Sequence, residues 1–125
     1  MSLQIFYIGL FGAIGCLSRY FLSGWVHQLF GRNFPYGTLA VNLAGAYLIG
    51  FIMAFSLRSE LVSPDLRIGL TIGLMGGLTT FSAFSYETFR LLEDGAFLIA
   101  SINILISVLF CLFFTWAGME TARYL

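Results

Sequence analysis

Four apolar stretches, residues 3–29, 38–57, 68–92 and 96–117, follow one another with only short polar connectors between them. An α-helix rises about 1.5 Å per residue, so crossing a hydrocarbon core about 30 Å thick takes about 20 apolar residues. Each stretch is long enough. The pattern predicts an all-α membrane protein, with residues 1–125 forming one domain of four transmembrane helices. Hydrophobic side chains make up 59% of the 125 residues and charged ones only 10%, too little polar surface for a water-soluble domain. Met1-Ser2-Leu3-Gln4 lacks the basic residues that open a cleaved leader, so the first stretch is expected to be retained as a helix. Residues 31–35, 58–67 and 93–95 carry turn chemistry and charge, while Trp25, Tyr36, Tyr86 and Tyr124 suit the two membrane interfaces. With no soluble domain, function must lie within the cell membrane or at its faces.

Six arginines balance six acids, leaving no basic patch for nucleic acid and no polybasic tail for anionic lipid. Orientation follows from arginines in short loops. One side would hold Arg58, Arg67 and Arg123, the other Arg32 and Arg90, with Arg19 near that end of the first helix. So even a count either permits insertion in both directions, and hence an antiparallel homodimer, or leaves one arginine to decide. Cys16 and Cys111 fall in apolar stretches without metal-ligand spacing and read as packing residues. His27, the sole histidine, has no nucleophile or acid in a recognisable relation to it, so no enzyme site is expected.

The third stretch is interrupted at its centre by G-G-L-T-T-F-S-A-F, residues 76–84. Glycine weakens a helix by about 1 kcal/mol relative to Ala, and hydroxyls compete with the helical ladder for carbonyls. A break is expected here, which a plain anchor would not need. Glycines 9, 12 and 15 on the first stretch and 69 and 73 on the third point to close helix packing.

Polar groups in a bilayer are costly, so each needs a reason. Thr38 and Asn42 stand one turn apart on the second stretch; Asn103, Ser107, Cys111 and Thr115 recur every four residues on the fourth. Such a stripe either lines a path for a dehydrating solute or ties helices together. Phe81 and Phe84 share one side of whatever helix follows the break, where they either pack or border an anion with their electropositive edges. No acid lies near the centre of a stretch, and Glu87 falls toward the end of the third, so the carboxylate of a cation channel or proton-coupled pump is missing. Arg19 is the one basic group well inside an apolar run. Its stem snorkels, or its head makes a vestibule positive. The inventory leans toward an anion.

G-x-x-G-C-L-S-R-Y at 12–20, G-T-L-A-V-N-L-A-G at 37–45 and G-G-L-T-T-F-S-A-F-S-Y-E at 76–87 together resemble the small four-helix fluoride channels, the Fluc family, also called CrcB. The resemblance covers the whole chain. It implies an antiparallel, dual-topology homodimer in the inner or plasma membrane, conducting fluoride passively through two pores at the subunit interface. It also implies a structural Na⁺ on the dimer axis, held by backbone carbonyls of Gly76 and Thr79. Phe81 and Phe84 match the pore borders and Asn42 the amide beside them, with Ser82 and Thr38 alongside. Arg19 and Glu87 match vestibule positions, and Asn103, Ser107, Cys111 and Thr115 line up with a polar track. Ala83 departs from the family pattern, which usually has Thr between the two aromatics.

Two other classes remain to be weighed. A small multidrug or cation exporter would carry an acid in its first helix, and residues 3–29 contain none. A non-transporting assembly protein would explain the glycines but not the break with its phenylalanine pair.

Overall fold

The computed structural model describes residues 2–125. Among them, four helical spans are long and apolar enough to cross a membrane: Ser2–Phe30, Tyr36–Arg58, Pro64–Glu93 and Phe97–Arg123. The first two are α1 (Ser2–Phe30) and α2 (Tyr36–Arg58). The third is composite. It runs through α3 (Pro64–Ile68), a π-helical segment (Gly69–Met75) and α4 (Gly76–Leu78), leaves helix at Thr79 and Thr80, and resumes as α5 (Phe81–Glu93). The fourth is α6 (Phe97–Arg123). Gly31 and Gly95, with φ of 85° and 79°, turn the chain after α1 and α5, in a region that favours glycine.

Gln4 donates from Nε2 to Asp65 Oδ1 at 2.8 Å, tying the start of α1 to the start of α3. α1 and the third span therefore rise side by side, with α2 and α6 running the other way. Glycine sets how closely they approach. A Cβ on Gly77 would lie 2.6 Å from the Gly12 carbonyl oxygen and 2.9 Å from Cys16 N; one on Gly73 would lie 2.8 Å from the Ile8 oxygen. Gly50 of α2 and Gly118 of α6 meet the facing backbone in the same way. Gly9, by contrast, has no neighbouring atom within 4 Å of its would-be Cβ, so it takes no part in this contact.

Gly77→Leu is expected to force α1 off the third span and destabilise the protein by about 1–3 kcal/mol or more, as overpacking does. Gly9→Leu should be neutral. Thermal aggregation of the two variants in detergent checks this, and equal behaviour would mean the close approach is dispensable.

The small core of Val41, Met75 and Leu78 lies where α2 crosses the third span, with Leu22, Ile49, Ile52 and Leu74 packed around it. Most of the remaining apolar surface, including Leu105, Leu109 and Leu112 of α6, faces outward. That is the surface a bilayer covers.

The break differs from the sequence expectation in one respect. Gly76 and Gly77 are not where the helix fails; both lie in α4, with Gly76 at φ −62°, ψ −36°. The chain becomes extended at Thr79 (φ −92°, ψ 160°) and Thr80 (φ −153°, ψ 118°). Gly77 is needed for contact with α1, while the departure from helix is fixed by side chains around the threonines.

Candidate functional site

Three side chains build the break. Thr79 donates both its backbone N–H (3.0 Å) and its Oγ1 (2.8 Å) to the Met75 carbonyl, closing the last turn of α4. Asn42 of α2 then takes the next residue in a two-bond clamp: Thr80 N donates to Asn42 Oδ1 at 2.8 Å, and Asn42 Nδ2 donates to the Thr80 carbonyl at 3.1 Å. The amide thus pairs with extended backbone as a neighbouring strand would. Thr80 starts the next helix as its N-cap, accepting the Ala83 N–H on Oγ1 at 3.1 Å. Gly45, one turn along α2 from Val41, makes room for the Thr79 methyl group.

Beside the break lies a groove of about 500 Å³, open along one side of the chain. Asn42, Gly76, Thr79, Phe81, Phe84, Ser107, Cys111 and Thr115 all line it, so helices α2, α4, α5 and α6 each contribute to one wall. The rings of Phe81 and Phe84 stand 5.4 Å apart at 49°. Phe81, the first residue of α5, is 78% exposed.

A family model described as CrcB-like protein, Camphor Resistance (CrcB), matches residues 6–119. The chain belongs to the CrcB family. Fluoride-specific ion channel FluC of Geotalea daltonii is 70% identical over 121 residues, covering 97% of this chain and 98% of that one. The protein of the same name from Geotalea uraniireducens is 71% identical over the same shares, and that of Geobacter metallireducens is 66% identical over 98% and 99%. The stretch that the family model matches includes the break, where Gly76, Thr79, Thr80, Phe81 and Phe84 line the groove.

Other candidate residues of this CrcB chain lie elsewhere. Thr38 and Glu87 are hydrogen-bonded to each other, Thr38 Oγ1 donating to Glu87 Oε1. They line a second cavity of about 1160 Å³ toward the 31–35 turn, with Ala83, His27, Arg32 and Arg90. Arg19 is not among the residues lining that cavity; its Nε donates to the Gly77 carbonyl at 3.0 Å, so its charge sits against the broken span. Ser82 is exposed and pairs with Thr80, Oγ to Oγ1, at 3.1 Å.

The stripe on α6 divides. Cys111 and Thr115 face the groove, whereas Asn103 is only 2% exposed and donates from Nδ2 to Thr88 Oγ1 at 2.9 Å. Ser107 belongs to both, lining the groove while donating to Asn103 Oδ1 at 3.3 Å. Within the groove, then, the Thr79 and Ser107 hydroxyl protons are already committed, and the second Asn42 amide hydrogen is the spare N–H donor of that side chain. Two residues escaped the sequence reading as functional. Thr80 was signalled by its place before an apolar amphipathic run, a helix-cap position. Thr88 carried no signal of its own.

The carbonyls of the break suit a hard cation. The Thr80 N–H that would close the turn on Gly76 goes to Asn42 instead, and among the described residues no N–H donates to the Thr79 carbonyl. Neutral oxygens with spare lone pairs match the ligand preference of hard cations. Among the described residues, no cluster of His, Cys, Asp or Glu is placed to hold a transition metal.

Proposed function

We propose that the chain is a passive, fluoride-selective ion channel of the cell membrane, which exports cytoplasmic fluoride as an antiparallel, dual-topology homodimer with two pores at its interface. The observation that carries this reading is the groove at the helix break, bordered by Phe81, Phe84 and Asn42, in a chain 70% identical to a protein named fluoride-specific ion channel FluC.

Fluoride is small and strongly hydrated, so a selective path must replace its water with close-set donors. Asn42's spare amide hydrogen, the Thr115 hydroxyl and the Cys111 thiol supply donors along one wall, and Phe81 and Phe84 add positive ring edges. Neutral donors and ring edges attract an anion without trapping it as a fixed charge would. A groove of about 500 Å³ is far wider than one small anion requires, and the exposed Phe81 ring needs covering. A second copy inserted the opposite way would supply the missing wall, and its symmetry would make two such paths.

Gly76 and Thr79 would hold a structural Na⁺ through their carbonyl oxygens at the dimer axis, with the partner completing its coordination. Bound there, the cation would offset carbonyl dipoles left by the break. Arg19 adds a second positive charge beside the same turn, and Glu87, held by Thr38, shapes the field at the approach.

Purified protein in liposomes is expected to dissipate a fluoride gradient as an electrical current without proton coupling, with chloride retained. Equal chloride release, or no fluoride flux, overturns the reading.

A further inference from the structure

We propose that Thr88 is a positioning residue of the fluoride path, docking α5 onto α6 so that Phe84 stands at the groove wall. The inference rests on the channel reading above.

α5 is severed from α4 by two extended residues, so no continuous helical ladder fixes its rotation or height. Its own packing does little to replace that constraint: Thr88 is its one buried residue, at 6% exposure, while Phe81, Tyr86 and Phe89 point outward; the Thr38–Glu87 bond ties it to α2 and leaves its seat on α6 to be set separately. What holds α5 to α6 in polar terms is a single ordered chain. Ser107 Oγ, at the groove, donates to Asn103 Oδ1 at 3.3 Å; Asn103 Nδ2 donates to Thr88 Oγ1 at 2.9 Å; Thr88 Oγ1 donates to the Phe84 carbonyl at 2.7 Å. The chain starts at the groove wall on α6 and ends on the backbone of the residue whose ring lines that same groove.

Its direction matters. Because the Thr88 proton is committed to Phe84, the hydroxyl offers Asn103 only lone pairs, and the Asn103 amide must donate. Valine has the shape of threonine but no acceptor. With Thr88→Val the Asn103 N–H would be buried without a partner, a penalty relieved only if α5 moves or water enters. Either change shifts Phe84 relative to Ser107, Cys111 and Thr115. Serine keeps the hydroxyl and should keep the register.

The test compares fluoride flux of Thr88→Val and Thr88→Ser in liposomes, each in the natural background and with Phe84→Leu. Thr88→Val is expected to lower flux by about threefold or more, the size of one interhelical hydrogen bond in a membrane protein, with its chromatographic profile unchanged. Thr88→Ser should retain flux, and Thr88→Val should add nothing once Phe84 is Leu, because contacting residues are not additive. Unchanged flux in Thr88→Val, an equal loss in Thr88→Ser, or an equal loss in both backgrounds overturns the proposal. If Phe84→Leu alone leaves flux untouched, the border role of Phe84 falls and this inference with it; if Phe84→Leu lowers flux and Thr88→Val does not, only the role of Thr88 falls. Should Thr88→Val not yield folded protein, Thr88→Ala removes the same acceptor with a smaller side chain and is judged by the same criteria in the same two backgrounds.

Discussion

Asn42→Asp is expected to lower fluoride flux by about a hundredfold or more, since two like unit charges about 4 Å apart repel by about 4 kcal/mol at an effective dielectric of about 20 and each 1.36 kcal/mol is about tenfold in rate. The substitution preserves the shape of the side chain and the acceptor that Thr80 N uses. It removes the donor: an anionic oxygen would face the Thr80 carbonyl, which Asn42 Nδ2 now contacts at 3.1 Å. One half of the clamp becomes a repulsion, and a negative charge stands on the wall of an anion path. Asn42→Gln tests the geometry separately, because one more methylene cannot keep both bonds to Thr80 in register. Flux in liposomes, read beside chromatography in detergent, distinguishes a lost path from a lost assembly. Wild-type flux in Asn42→Asp would show that neither the clamp nor the amide's place at the groove matters.

That clamp marks where the sequence stops being legible. Hydropathy and length alone locate four spans, because bilayer thickness imposes a length that few other constraints produce. The interruption at 76–84 is equally visible. What cannot be read is which residue performs it: the two glycines catch the eye, yet they remain helical, and Gly77 is spent on contact with Gly12 and Cys16 of α1. The helix ends at Thr79 and Thr80 because Asn42, thirty-eight residues earlier, captures the next N–H. Partner choice over such a separation leaves no local pattern.

The π-helical segment at Gly69–Met75 is hidden for the same reason. Its composition is that of any apolar helix, and its wider turn, with Gly76 N donating back to Thr71 O, arises in a tightly packed stretch rather than from residue propensity. The α6 stripe shows a different failure. Steps of four residues overshoot a 3.6-residue turn by about 40°, so Asn103 and Thr115 lie about 120° apart around the axis. The spacing looks continuous in sequence, but the helix turns Asn103 toward Thr88 and Thr115 toward the groove. Arg19 was open between interface and vestibule. Its bond to Gly77 O ties its Nε to α4, just before the break, a contact set by how closely α1 approaches.

Phe81→Leu and Phe84→Leu are each expected to cut fluoride flux by about two- to tenfold, taking a well-placed ring edge to be worth as much as an aromatic pair, about 0.5–1.5 kcal/mol beyond its area. Leucine fills apolar space but has no quadrupole, so the loss tests the electropositive edge and not merely the bulk. The two positions differ usefully. Phe81, at 78% exposure in the single chain, contributes almost nothing to the core, so its replacement should leave folding of the chain intact and act only where a second copy closes the groove. If Phe81 merely faced lipid, leucine would serve equally well and flux would not change. Phe84 is half-buried and bonded through its carbonyl to Thr88, so its backbone should hold while the ring is lost. With centroids 5.4 Å apart, the rings act on the same stretch of path, and the double variant should fall short of the product of the two single losses. Liposome flux with dimer content measured on the same preparation decides the matter: unchanged flux with an intact dimer would reduce both rings to packing, and flux lost only in proportion to lost dimer would make them interface residues rather than borders of the path.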